Sequence, residues 1–510
     1  MIGTTTAVAL LGLTGQMVEV EADITPGLPS FTIIGLPDTA LSNARERVRH
    51  ATSNAGCPLP ARRITVNLSP AALPKFGPVF DLAIAMALLA AARSISAESI
   101  GRVVHLGELG LDGRLRPTSG ILPAVAAAAR LGFTRFMVPT GNADEAALVP
   151  GITVIPVASV RDAAIYHGST LQPQPVDPIL LARESATETP VLELADVVGN
   201  RDATQALVVA AAGGHHLFML GPPGAGKTML AARLPGLLPD LGALESLEVS
   251  SLRSLSGEVV GSQLITRPPL ESPHHTATAA ALVGGGSRQI RPGAAARASH
   301  GVLFIDEAPE FNSSVLDALR QPIETGVISI HRANAVASFP ATFQLVLAAN
   351  PCPCGQYGAR DSECTCTPHA RRRYLGRISG PLMDRIDIQL RVQRITAAEL
   401  RMADGAERLD TSTARATVIA ARARSAERLA KTPWRVNSQV PGSWLRTGPR
   451  RLHRATTASL DRALERGGLT MRGYDRVLRL AWTVADLDSV ESPTAEHVGR
   501  ALYLRKSLQS

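Results

Sequence analysis

Short β-rich runs alternate with alanine-rich helical stretches through residues 1–168. The runs 17–20, 64–68, 136–139 and 153–157 read as strands, and the stretches 40–54, 81–92 and 122–131 carry the helical pattern. An α/β domain is expected over 1–168. The alternation then stops: Ser169, Gln172, Pro173, Gln174, Pro175 and Pro178 mark 169–190 as a linker. From 191 to 395, buried-type strands alternate with helices again, the pattern of a parallel sheet with crossover helices. Beyond 396 the pattern is helical, over 411–430, 451–466, 474–486 and 493–505. No internal repeat is apparent.

Length agrees with two or three domains, since 510 residues exceed one ordinary core. The longest apolar run, 82–92, lies between Asp81 and Arg93 and is too short to span a bilayer. The apolar start, 1–14, has no basic segment of the kind a secretory signal needs. A cytoplasmic protein with no membrane partner is expected. Charge refines this picture. Residues 401–510 hold 20 Lys/Arg against 11 Asp/Glu, so this region carries the whole net charge of +8. Such a surplus fits a polyanionic partner such as nucleic acid, and it equally fits a solvated helical surface. Lysine is scarce, occurring only at Lys75, Lys227, Lys431 and Lys506.

Lys227 lies in a glycine-rich loop, Gly221, Pro222, Pro223, Gly224, Ala225, Gly226, Lys227 and Thr228. An apolar strand over 216–220 precedes the loop and a helical run over 229–234 follows it. Glycines there let backbone N–H groups turn in around phosphate oxygens, and the helix N-terminus adds a favourable dipole. Lys227 would neutralise the β/γ-phosphates and Thr228 would ligate Mg²⁺. The second half of such a site needs carboxylates at the end of a neighbouring buried strand. The strand 302–305 supplies Asp306 to hold Mg²⁺ and Glu307 to orient the attacking water. A third strand, 344–349, ends in Asn350, whose amide can position that water. Phosphoryl transfer also gains from a late-supplied arginine. Arg385, in GPLMDRID (380–387), and Arg472, at the start of the helical pattern 472–486, are the candidates.

These segments resemble the Walker A, Walker B, sensor-1 and arginine-finger motifs of the magnesium-chelatase-like AAA+ ATPases. SPHHTATAAALVGGG (272–286), NPCPCG (350–355) and LTMRGYDRVLR (469–479) resemble the YifB/ComM group, and the likeness runs from the first residues to the last helix. It implies an AAA+ P-loop parallel-sheet core with a C-terminal helical lid, and a homo-oligomeric ring, usually a hexamer. It further implies that Arg385 reaches into a neighbour's site, that Arg472 acts as sensor 2, and that a helix-2 insert at 272–286 and a hairpin near 327–335 project toward a central pore. The cofactors implied are ATP and Mg²⁺.

Residues 1–168 resemble the Lon-protease/ribosomal-S5-like fold through 75–86 (KFGPVFDLAIAM) and 107–129. Lon chemistry needs a serine activated by a lysine. In register, those positions are Val79 and Leu122, so the domain is expected to be proteolytically inactive and to serve binding or ring formation. A different Ser–Lys pairing involving Lys75 is the alternative.

Cys352, Cys354, Cys364 and Cys366 form C-x-C-x₉-C-x-C directly after Asn350. Four thiolates so close can surround one structural Zn²⁺, although the pairs are tighter than the usual C-x₂-C; a reduced cytosolic cysteine loop is the alternative. Cys57 reads as core. His274 and His275 can bind metal, but a role within the motor insert fits better.

Two functions follow. The resemblance implies a DNA-translocating motor, with branched or single-stranded DNA as its partner, that drives branch migration or unwinding during recombination of incoming DNA. Aromatic residues make up only 4%, so arginine tracking of the backbone suits this chain better than base stacking. The alternative is a chelatase-type or chaperone-like motor that remodels a protein partner.

Overall fold

The computed structural model describes residues 2–35, 38–181, 192–286, 290–332, 335–358, 364–396, 400–401 and 408–506. The second part of the expected linker, 182–190, and parts of the 396–410 boundary lie outside the described residues.

The first sheet has seven strands in the order Ser30–Ile34, Arg63–Ser69, Thr14–Thr25, Ile2–Leu11, Val104–His105, Arg135–Pro139 and Thr153–Val157. It is mixed. Ile2–Leu11 and Thr14–Thr25 form an antiparallel hairpin, and the three strands beyond Ile2–Leu11 run parallel to it. The start of the chain, with its three consecutive threonines, is therefore a central strand, with Ala7, Val8 and Ala9 buried in the core. The helix Asp81–Ala91 packs on the hairpin with every residue buried, which explains an apolar run with no polar face. Its one charged group, Asp81, receives two hydrogen bonds from Arg47 at 2.6 and 3.0 Å. Burial still pushes that carboxyl up to about 6.

The second sheet has five strands, all parallel, in the order Leu270–Glu271, Val302–Ile305, Gln344–Ala349, Leu217–Leu220 and Ile388–Arg391. Leu217–Leu220, Val302–Ile305 and Gln344–Ala349 are buried throughout, so apart from Gln344, whose amide donates to the Ala210 carbonyl, their side chains are apolar on both faces rather than alternating. The helices Arg201–Gly213 and Lys227–Leu237 pack in a core shared with the C-terminal helices Thr411–Arg428, Arg454–Glu465, Met471–Leu487 and Ala495–Lys506. An antiparallel hairpin, Val327–Arg332 with Ala335–Pro340, stands beside this sheet; its turn residues 333–334 lie outside the described residues.

The two sheets are joined through the helix Ala243–Ser256. Ile121–Arg130 of the first unit packs on it, and the Gly120 N–H donates to the Ser254 carbonyl at 2.9 Å. No helix among the described residues is long and apolar enough to cross a membrane.

Candidate nucleotide site

The loop 221–226 joins the C-terminal end of Leu217–Leu220 to the helix Lys227–Leu237. Its glycines have separate reasons. At Gly221 a Cβ would lie 2.2 Å from the Val392 carbonyl oxygen, so only glycine lets the two segments approach. Gly224 and Gly226 have φ of +76° and +88°, the left-handed region that turns the loop back over the helix start.

Lys227 opens the helix and is almost fully buried. Its ammonium donates to the Gly221 carbonyl at 2.6 Å, the Pro222 carbonyl at 3.0 Å and Asn350 Oδ1 at 3.1 Å. Burial lowers its pKa, while the charges of Asp306 and Glu307 oppose that shift. The Thr228 hydroxyl donates to Asp306 Oδ2 at 2.7 Å, and Asp306 Oδ1 accepts the Glu307 N–H at 2.9 Å. Lys227, Thr228, Asp306, Glu307 and Asn350 thus meet at one end of the sheet. A hydroxyl and a carboxylate at 2.7 Å can share a hard cation, and a lysine on loop carbonyls can exchange them for phosphate oxygens. Glu307 sits at φ 49°, ψ 42°, a left-handed backbone for a non-glycine residue. Such strain costs about 1–2 kcal/mol and collects at functional sites.

Asp306 does not come from the strand next to the phosphate loop. Gln344–Ala349 lies between, and it pairs with both Leu217–Leu220 and Val302–Ile305. The Asn350 strand therefore runs between the strand that enters the loop and the strand that carries the carboxylates, and its amide oxygen accepts from Lys227. Sequence order carried no sign of this interleaving. Arg394 was also missed. Its Nε donates to the Pro223 carbonyl at 2.9 Å, which puts a further positive group on the loop. No motif marks it; its only signal is a position three residues beyond Ile388–Arg391.

Arg385 and Arg472 are elsewhere. The Asp387 N–H donates to the His216 carbonyl, so the 380–387 segment meets the strands at their N-terminal ends. The phosphate loop lies at the opposite edge, beyond strands of four to six residues that span on the order of 10–20 Å. The Arg385 guanidinium pairs with Glu324 at 2.5 Å, donates to the Pro381 carbonyl, and leaves its buried Nε without a partner. Arg472 is exposed and lies 3.5 Å from Asp384. Both arginines line one cavity of about 810 Å³ that none of residues 221–228 borders. Beneath them, Arg476 holds the buried Asp387 at 2.5 Å. Burial would raise that carboxyl, but Arg476 and His215 hold it well below the usual carboxylate range.

The cysteine loop packs against the phosphate loop. A Cβ on Gly355 would lie 2.6 Å from the Pro223 ring. Sulfur atoms of Cys352, Cys354 and Cys364 are 3.3–3.7 Å apart, and all four sulfurs lie within 4.8 Å of one another. Tetrahedral Zn–S bonds of about 2.3 Å imply S···S edges of roughly 3.8 Å, so the cluster fits one zinc ion. The Tyr357 N–H points at Cys352 Sγ, 3.4 Å away. Residues 359–363 of the loop lie outside the described residues. Purified protein is expected to carry about one zinc per chain by elemental analysis. Protein never exposed to chelator but lacking zinc would leave only a reduced cysteine loop. Cys57 is buried in the first core, as a small apolar residue would be.

Of the positions aligned with Lon chemistry, Val79 lies in a short 3₁₀ turn and Leu122 is fully buried in Ile121–Arg130. Neither has a reactive group. The Lys75 ammonium donates to the Pro70 and Leu73 carbonyls at 2.6 and 3.2 Å, and among the described residues it meets no serine hydroxyl.

Comparison with known proteins places this geometry. The family model of magnesium chelatase subunit ChlI matches residues 193–400, a second ChlI model matches 20–142, and the ChlI C-terminal model matches 408–505. The chain is 47% identical over 511 residues to an uncharacterized protein of Mycobacterium tuberculosis, covering 99% of both. It is 38% identical to the competence protein ComM of Haemophilus influenzae, covering 98% of this chain and 96% of that protein. The uncharacterized protein YifB of Escherichia coli is likewise 38% identical, with the same coverage. A Lon protease of Brucella suis is 27% identical over 204 residues, 38% of this chain and 24% of that enzyme. With matches covering both sheets and the C-terminal helices, the chain belongs to the YifB/ComM family of magnesium-chelatase-like AAA+ ATPases.

Proposed function

We propose that this protein is an ATP-driven ring motor that acts on DNA, moving a branch or displacing a strand. In this reading Lys227 and residues 221–226 bind the nucleotide phosphates. Thr228 and Asp306 hold Mg²⁺, Glu307 and Asn350 orient the attacking water, and Arg385 and Arg472 serve the site of a neighbouring subunit. The separation of those arginines from their own phosphate loop supports the ring: a chain whose arginines face away from its own nucleotide needs a second copy to complete the site. A hexamer is the expected size.

The observation that carries the DNA reading is a set of exposed arginines on and around the helix Arg454–Glu465. Much of the C-terminal basic surplus is spent inside the fold. Arg428 pairs with Asp486, Arg476 with Asp387 and Arg415 with Asp240, while Arg422 and Arg479 donate to the Ala211 and Val440 carbonyls. Arg450, Arg451, Arg454, Arg462 and Arg466 are exposed, and no ion pair involves them among the described residues. They lie just before, along and just after the helix Arg454–Glu465. Unpaired arginines on a surface suit phosphate contacts, which supply most non-specific DNA affinity. The near-full-length likeness to a competence protein points the same way.

DNA binding is therefore expected to weaken steeply with salt and to show slight sequence preference, because backbone contacts do not read bases. Neutralising Arg450, Arg451 and Arg454 together should flatten the log–log salt slope by about two to three, at ~0.9 per duplex phosphate contact, and lower DNA affinity more than basal ATPase. Titrations of branched and single-stranded DNA, with ATPase rates measured alongside, check this. If DNA neither binds at low salt nor stimulates hydrolysis, the motor acts on a protein partner instead.

A further inference from the structure

Arg385 and Arg472 lie away from their own phosphate loop, so any arginine that this loop meets within its own chain comes from another segment. Ile388–Arg391 runs parallel to Leu217–Leu220 with Arg391 opposite Leu220, and the chain therefore leaves the sheet at the edge where the loop begins. The connector that follows is braced on both sides. The Val392 N–H donates to the Leu220 carbonyl at 2.9 Å, and Asn200 Nδ2 donates to the Gln393 carbonyl at 3.3 Å. Ile395 packs on Gly199, where a Cβ would come within 3.0 Å of its Cγ1. Arg394 is carried between these anchors, so its backbone is fixed beside the loop while its side chain stays exposed.

The guanidinium has an exchangeable partner. Its Nε donates to the Pro223 carbonyl at 2.9 Å, and no carboxylate among the described residues is in ion-pair range of it. Among the described residues, Lys227 and Arg394 are the cations that donate to carbonyls of 221–226. Burial lowers the Lys227 pKa, and the charge of Arg394 acts in the same direction, so the two cations repel each other at the loop. A guanidinium resting on a neutral carbonyl gains from an anionic oxygen, because hydrogen bonds between ionised partners are roughly twice as strong as neutral ones.

We propose that Arg394 is a phosphate-binding residue of its own chain's nucleotide site, exchanging the Pro223 carbonyl for a phosphate oxygen when a nucleoside triphosphate arrives. The assignment rests on the nucleotide-site reading above. It gives the loop an arginine from its own chain in addition to those a neighbour supplies, and the two kinds act at different stages. Arg394 holds the bound nucleotide, whereas the neighbour's arginine acts on its hydrolysis.

Two variants separate this role from one that only shapes the loop. Arg394→Gln keeps an N–H for the Pro223 carbonyl and loses the charge; Arg394→Lys keeps the charge and loses the planar fork. Binding of a fluorescent ATP analogue with Mg²⁺ to the full chain should weaken about ten-fold in Arg394→Gln, the lower end for a hydrogen bond to a charged group, and by no more than about three-fold in Arg394→Lys. The contact is made before the transition state, so kcat at saturating ATP should hold within about two-fold in both. The melting temperature without nucleotide should not move. Wild-type affinity in Arg394→Gln, equal losses in the two variants, or a lowered melting temperature without nucleotide would overturn the assignment. If the wild-type protein does not bind ATP, or Lys227→Ala binds it undiminished, the nucleotide-site reading itself falls. Lost binding in Lys227→Ala beside full affinity in Arg394→Gln sinks the role of Arg394 alone.

Discussion

Glu307→Gln protein is expected to bind ATP and stall, whereas Lys227→Ala protein is expected not to bind nucleotide at all. The two side chains act on different species. Lys227 is buried at the mouth of the loop, and its ammonium already rests on two loop carbonyls and Asn350. An arriving phosphate exchanges those neutral acceptors for anionic oxygens, and alanine leaves nothing to make the exchange. Glu307 makes no such contact. It stands beyond Asp306 on a strained backbone, half exposed, where it can face a water but not the loop. Glutamine keeps its shape and removes its capacity to take a proton. A positioned general base contributes ~10²–10⁴-fold, and kcat should fall by a factor in that range with nucleotide affinity retained. Fluorescent-nucleotide binding beside steady-state ATPase rates separates the two effects. Normal turnover in Glu307→Gln would show that another group orients the water.

The second large effect is expected from Arg385→Ala, and only between subunits. An arginine finger contributes ~10³–10⁵ in kcat, so the variant alone should be nearly inactive despite an intact phosphate loop. Within its own chain Arg385 cannot serve that loop, because the length of the sheet lies between them. Its pairing with Glu324 is the resting arrangement that a neighbour's nucleotide would compete with. Mixing makes a clean test. Arg385→Ala subunits supply intact loops and Lys227→Ala subunits supply intact arginines, so some interfaces in a mixed ring combine one of each. ATPase activity should appear on mixing two proteins that are each close to inactive. If the mixture shows no more than the sum of its parts, Arg385 does not act in a neighbour's site.

The same geometry bears on Arg472. It shares the cavity and the sheet edge of Arg385, bound to Asp384 one residue before it. The helix Met471–Leu487 is docked there by the Arg476–Asp387 pair and by His215, whose Nε2 lies 2.7 Å from the Thr483 hydroxyl. This docking keeps Arg472, like Arg385, at the sheet edge opposite the phosphate loop, in a cavity that none of residues 221–228 borders.

What the sequence alone determined was local chemistry. The glycines of 221–226, Lys227 and Thr228 could be read directly, because a phosphate loop is one continuous segment whose backbone conformation and side-chain needs are written in consecutive residues. The pair Asp306–Glu307 and Asn350 were legible for a related reason: each directly follows a short apolar run, 302–305 or 345–349, the mark of a strand buried on both faces. The cysteine spacing likewise announced a cluster. Tertiary structure decided what these pieces face. Strand order interleaves segments distant in sequence, so the passage of the Asn350 strand between loop and carboxylates left no trace in the chain. Net charge shows that arginines are present but not which are neutralised inside the fold, and only packing separates the paired, part-buried Arg476 from exposed Arg450. The approach of His275 to Glu307 and of Arg394 to Pro223 joins residues 32 and 171 positions apart. Contacts of that kind depend on the path of the backbone through space, which hydrophobic periodicity does not encode.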